Sequence, residues 1–136
     1  MPIDFVIDHE RQLIMTKAHG TMTHEDIMGY QHAIRSRPEL NGYNELVDMS
    51  QVERIALQSI ERVRELAARS AGMDGDSPPS RFAIVAPTEE AFGLGRMYQT
   101  YRSLDERSTK EVGVFRTLEE ALAFLDGRKP TAAGGS

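Results

Sequence analysis

Residues 81–87, RFAIVAP, constrain this chain more than any other stretch. Phe82, Ala83, Ile84, Val85 and Ala86 follow one another without the polar alternation of a strand wetted on one face. Such a run belongs to a strand covered on both faces, the condition of a parallel sheet flanked by helices. Its surroundings agree. Before it, MDGDSPPS is a loop of small and polar residues with two prolines. After it, Thr88 is a natural helix cap, and Glu89 and Glu90 suit the positive end of the helix that follows.

The rest of the chain repeats this alternation. DFVIDHERQLIMTKAHG reads as two strands joined at Asp8, a favoured first residue of a type I turn. Thr23 and Asp26 open a first helix with a capping-box spacing, and Ile27, Tyr30, Ala33 and Ile34 form its apolar stripe. Pro38 stops it. NELVDMS is a short buried strand, and QVERIA a connection. A second helix is expected from Ser59 to Gly72, with Ile60, Val63, Leu66, Ala67 and Ser70 inward and Gly72 as its left-handed terminator. KEVGVFR is the last strand, and TLEEALAFLDG the last helix, capped by Thr117 with Glu120 and closed by Gly127. The order is ββαβαβαβα: an α/β domain with a mixed five-stranded sheet packed by about four helices. One domain spans 1–127, and 128–136 reads as a disordered tail.

Composition narrows the function. The 136 residues contain no cysteine, which excludes a disulfide scaffold, a thiol nucleophile and a cysteine zinc site. The net charge of −5, with no basic run, argues against nucleic acid as a partner. No apolar run approaches the ~20 residues of a membrane span, so no integral membrane association is expected. The acidic N-terminus lacks the regions of a signal peptide, and the expected location is cytoplasmic. His9, His19, His24 and His32 form no metal-ligand spacing, so neither metal nor cofactor is expected.

AFGLGRMYQTYRSL, residues 91–104, holds a Gly-x-Gly followed by Arg96. A phosphate loop needs its glycines between strand and helix. Here they fall in the second helical turn, where backbone amides are already engaged. Helical projection places Ala91, Leu94, Met97, Tyr98, Tyr101 and Leu104 on one arc of about 140°, with Gly93 and Gly95 at its borders. Each glycine costs ~1 kcal/mol against alanine, which implies close approach of another backbone. Phe92 falls outside the arc beside Arg96; it either packs under the 72–80 loop or at the domain edge, or forms with Arg96 a contact face of the residue types enriched where partners bind. Met97, Tyr98, Tyr101 and Asp48 are the candidates for lining a ligand pocket. Asp48 ends its expected strand, where α/β sheets bind ligands, although an aspartate there also orders the loop that follows.

ELVDMSQVERIALQSIERVREL, RFAIVAP and KEVGVFRTLEEALAFL together resemble the SpoIIAA-like family of small bacterial proteins, related to STAS and lipid-carrier domains. The resemblance covers about residues 3–126 and implies a mixed sheet with helices packed on it. In STAS relatives, an Asp-Ser-Ser-Gly motif after the third strand carries a phosphorylated serine. This chain has Asp48-Met49-Ser50 before that point but Ile55-Ala56-Leu57-Gln58-Ser59-Ile60 in its place. Ser59 is the hydroxyl nearest the phosphorylated position, and it also suits a helix cap. The resemblance implies a non-enzymatic regulatory module that binds a protein partner or a second copy of itself, and the outward Phe92 and Arg96 face is the expected contact. The alternative is a carrier or sensor of a small apolar ligand or lipid, and an enzyme is the third reading.

Overall fold

A computed structural model describes residues 3–57 and 59–127. The elements are β1 (Ile3–Asp8), β2 (Leu13–Thr23), α1 (His24–Arg35), a 3-10 turn (Pro38–Leu40), β3 (Asn44–Ala56), α2 (Ile60–Asp74), β4 (Ser80–Val85), α3 (Glu89–Leu104), β5 (Lys110–Phe115) and α4 (Leu118–Leu125). The strands lie in sequence order, β1-β2-β3-β4-β5. β1 is antiparallel to β2, and every other pairing is parallel. The mixed sheet and ββαβαβαβα order match the reading from sequence. Strands laid down in order with crossovers of one hand place their connecting helices on one face. Accordingly α1, α2 and α3 cover one side of the sheet: Ile27, Phe92 and Tyr98 pack against Ala18, Met49 and Ile84, and Val63 and Leu66 of α2 pack with Ile55. α4 covers the other, through Ala121 and Leu125 against Leu13, Leu46, Ala83 and Val85. β4 is thus covered twice, which is why it carries no polar phase.

The helix starts follow their caps. Thr23 Oγ1 accepts from the Asp26 amide at 3.1 Å, and Asp26 returns a carboxylate oxygen to the Thr23 amide at 3.0 Å. Thr88 and Thr117 accept from the amides of Ala91 and Glu120. The hairpin turn closes where Asp8 Oδ1 accepts from the Arg11 amide at 3.0 Å.

Several expectations need correction. QVERIA is strand, not connection: β2 runs on to Thr23 and pairs its far end, Gly20–Thr23, with Val52–Ala56. A partner ladder supplies the hydrogen bonds that local sequence does not advertise. α2 passes through Gly72 and ends at Asp74, with Gly75 beyond it at φ 53°. Asp74 is held in the interior by two arginines, which carries the helix further than its glycine suggests. Ile60 and Leu104, expected inward, are 59% and 75% exposed, each at an end of its helix. Ser59 is the N-cap of α2 by position, but its hydroxyl makes no capping hydrogen bond. The expected tail, 128–136, lies outside the described residues.

Of the two glycines in α3, Gly95 is the packed one. A Cβ there would stand 2.9 Å from Val114 Cγ1, so the close approach is a β5 side chain rather than a backbone. At Gly93 a Cβ would meet nothing within 4 Å.

Candidate ligand cavity

Between the sheet and α1–α3 lies a cavity of about 130 Å³. Its floor is the helix-covered face of the strands: Ala18 and Met22 from β2, Val47, Met49 and Ile55 from β3, Ile84 from β4. Its roof is Ile27 and Ile34 from α1, Val63 and Leu66 from α2, Ala91, Leu94 and Tyr98 from α3. Small residues at Ala18 and Ala91 leave space that larger side chains would fill. These walls are almost wholly apolar.

One end of the cavity is not. Thr16, Tyr30, Gln31, Arg35, Glu45, Ser70, Arg102 and Lys110 also line it. They belong to a buried polar network spanning β2, β3, β5 and all three covering helices. Arg102 and Asp74, 1% and 0% exposed at their side chains, form an ion pair at 2.6 Å. Arg35 reaches the other Asp74 oxygen at 3.1 Å and Glu45 at 3.7 Å. Lys110 lies 3.3 Å from Glu45 and donates at 2.8 Å to Tyr43 O and to Ser80 Oγ. Arg102 also donates to Tyr98 Oη at 2.7 Å and Ser108 Oγ at 3.0 Å. Tyr30 Oη bonds Thr16 Oγ1 at 2.8 Å and donates to Glu45 at 3.4 Å. Gln31 donates its amide to Ser70.

Burial shapes the titration of this network. It raises the Tyr30 phenol well above its ordinary value, and the nearby Glu45 charge adds to the rise. It lowers the Lys110 ammonium, against the pull of Glu45. For Arg102 burial disfavours the charge, but Tyr98 and Asp74 outweigh it and the guanidinium is held above its usual value. Charges taken this far from water persist only when each is paired and hydrogen-bonded.

The residues singled out from sequence are dispersed. Tyr98 lines the cavity and meets Phe82 edge to face at 6.0 Å. Met97 and Tyr101 instead pack with Leu57, Val63 and Leu66 between α2 and α3. Asp48 stands one residue from Val47 and Met49, on the opposite face of the sheet, and accepts from the Ser50 amide at 2.9 Å. Ser59 is exposed ahead of α2. Phe92 is half-buried against the core, with the Arg116 and Arg96 guanidinium groups 4.1 and 5.9 Å from its ring centre. Glu45, Lys110, Arg35 and Gln31 at the cavity's polar end, and Asp74 behind them, were not candidates. The available signal was Glu45, a carboxylate beside Leu46 and Val47 on the covered phase of an apolar strand.

Among the described residues no cluster of histidine and carboxylate side chains is arranged to hold a metal ion, and no helix is long and apolar enough to cross a membrane. No protein-family model matches the chain, and no curated protein matches it in sequence. Its structure is similar to that of a DUF3478-family protein with a SpoIIAA-like fold from Shewanella loihica PV-4. The two superpose with a TM-score of 0.56 over 90% of this chain and 93% of the other, at 19% identity. The ordered mixed sheet, with three helices on one face and the last on the other, is thus a SpoIIAA-like fold.

Proposed function

We propose that this chain is a non-enzymatic binding protein that holds a small apolar molecule in the cavity beneath α1–α3. The observation that carries the reading is the cavity itself: about 130 Å³ of apolar-walled space in the middle of a domain. Protein interiors otherwise pack to the density of organic crystals. An apolar cavity near this size, ~150 Å³ in another protein, binds benzene. The polar groups at its end are fixed by ion pairs and hydrogen bonds, which suits holding a molecule rather than transforming it. Toluene titration followed by methyl NMR tests this. Ile27, Ile55 and Ile84, which face the cavity, should shift, and exposed Ile60 should not. Ala18→Leu, which fills the space from the floor, should abolish the shifts and leave the fold intact. Toluene shifts that survive Ala18→Leu would place binding elsewhere and sink the reading.

Phe92 supports a second reading, a regulatory module with a protein-binding face. Its ring is flanked by two arginines, Arg96 and Arg116, both exposed. An aromatic between guanidinium groups is the composition of an interface anchor. Sedimentation of the wild type and Arg96→Ala tests the self-association form. A concentration-dependent dimer weakened by the substitution supports it, and a monomer at every concentration removes it.

A further inference from the structure

We propose that the molecule held in the cavity is neutral and carries a hydrogen-bond-donating head, a hydroxyl in the simplest case, received by Glu45. This rests on the cavity reading above and adds the chemistry of the ligand. The polar end of the cavity contains two buried acceptors without a hydrogen bond among the described residues, Glu45 Oε1 and Gln31 Oε1. Both residues line the cavity. Glu45 is 5% exposed, and its Oε1 lies 3.3 and 3.7 Å from the Lys110 and Arg35 cations without a well-aligned hydrogen bond from either. A buried acceptor with no donor is costly, and a donor on the ligand removes that cost.

The cations at the same end already have partners of their own. Lys110 serves Tyr43 and Ser80, and Arg102 serves Asp74, Tyr98 and Ser108. A carboxylate head would lie against the Glu45 carboxylate, which already draws on Lys110 and Arg35. An ammonium head would donate well but would face Arg35, Arg102 and Lys110 together. A neutral donor meets neither repulsion. Gln31 can turn its amide to present oxygen or nitrogen, so it adapts to either partner. Glu45 has no such choice and decides the selectivity. The cavity is slightly smaller than one that holds benzene, so the apolar body is about five or six carbons.

The test is an NMR titration of the full chain at neutral pH with pentan-1-ol, its isomer butyl methyl ether, pentanoate and pentylammonium. The alcohol and the ether match in size, and both carry one oxygen, but only the alcohol donates. The alcohol should bind roughly tenfold more tightly than the ether, as a hydrogen bond to a charged acceptor implies. Both charged probes should bind more weakly than the alcohol. Glu45→Gln should shrink the ratio of alcohol to ether affinity while the ether affinity holds, and the wild-type ratio stands as a test without the variant. Equal binding of alcohol and ether, or a preference for pentanoate or pentylammonium, overturns the proposed head while the cavity reading survives. Binding of none of the four overturns both.

Discussion

Alanine at Gly95 and at Gly93 should move stability in opposite directions, although both positions lie in α3, one turn or less from each other. At an open helical site, glycine to alanine gains about 1 kcal/mol by restricting the unfolded chain and restoring helix propensity. Gly93 is such a site, with nothing within 4 Å of a new Cβ. At Gly95 the same methyl would stand 2.9 and 3.4 Å from the two Val114 γ carbons. Val114 is 9% exposed and β-branched, so it has little rotamer freedom in which to retreat. Overpacking of this kind costs about 1–3 kcal/mol. Set against the helical gain of about 1 kcal/mol, the net effect at Gly95 is a loss of roughly 0–2 kcal/mol. Denaturant titration of the two variants should therefore separate them by at least about 1 kcal/mol. Adding Val114→Ala removes the obstructing carbons, and Gly95→Ala in that background should become favourable. Equal gains at the two positions in the wild-type background would refute the packing account.

Asp74→Asn should cost about 3–5 kcal/mol in denaturant titration, because it leaves Arg35 and Arg102 facing one another without their shared carboxylate; a loss below about 1 kcal/mol would show that the network is dispensable. Phe92→Ala should lower the thermal midpoint, since the half-buried ring packs on the core, whereas exposed Arg96→Ala should leave it unchanged. If calorimetry gives Phe92→Ala the wild-type midpoint, the ring is not part of the core. The side-chain hydrogen bonds from Arg107, with its backbone amide, hold the Asp105 carboxyl at about 2, below its ordinary 3.8. Its contribution to stability is thus present above pH 3.8 and lost as pH falls through about 2. An NMR titration midpoint near the ordinary value would show that this pair does not form.

The alternation of short apolar runs with capped helices was enough to determine the architecture. Thr23, Thr88 and Thr117 mark helix starts by chemistry that acts within four residues, so a local reading recovers them. The unbroken run 82–86 reports its burial on both faces for the same reason: each side chain carries its own record of solvent. The far half of β3 was not legible, because residues 51–56 become strand through the ladder to β2, a partner about thirty residues away. Neither was the reach of α2, which depends on Arg35 and Arg102 meeting Asp74. The cavity lay furthest from a sequence reading. Its polar end takes Glu45 from β3, Lys110 from β5, Arg102 from α3 and Gln31 from α1, and no spacing within one element records that they converge. Its volume is a difference between large packed surfaces, set by where three helices rest on five strands. Periodicity specifies which face of a helix turns inward, and only the assembled layers decide whether that face closes on the sheet or leaves room above it.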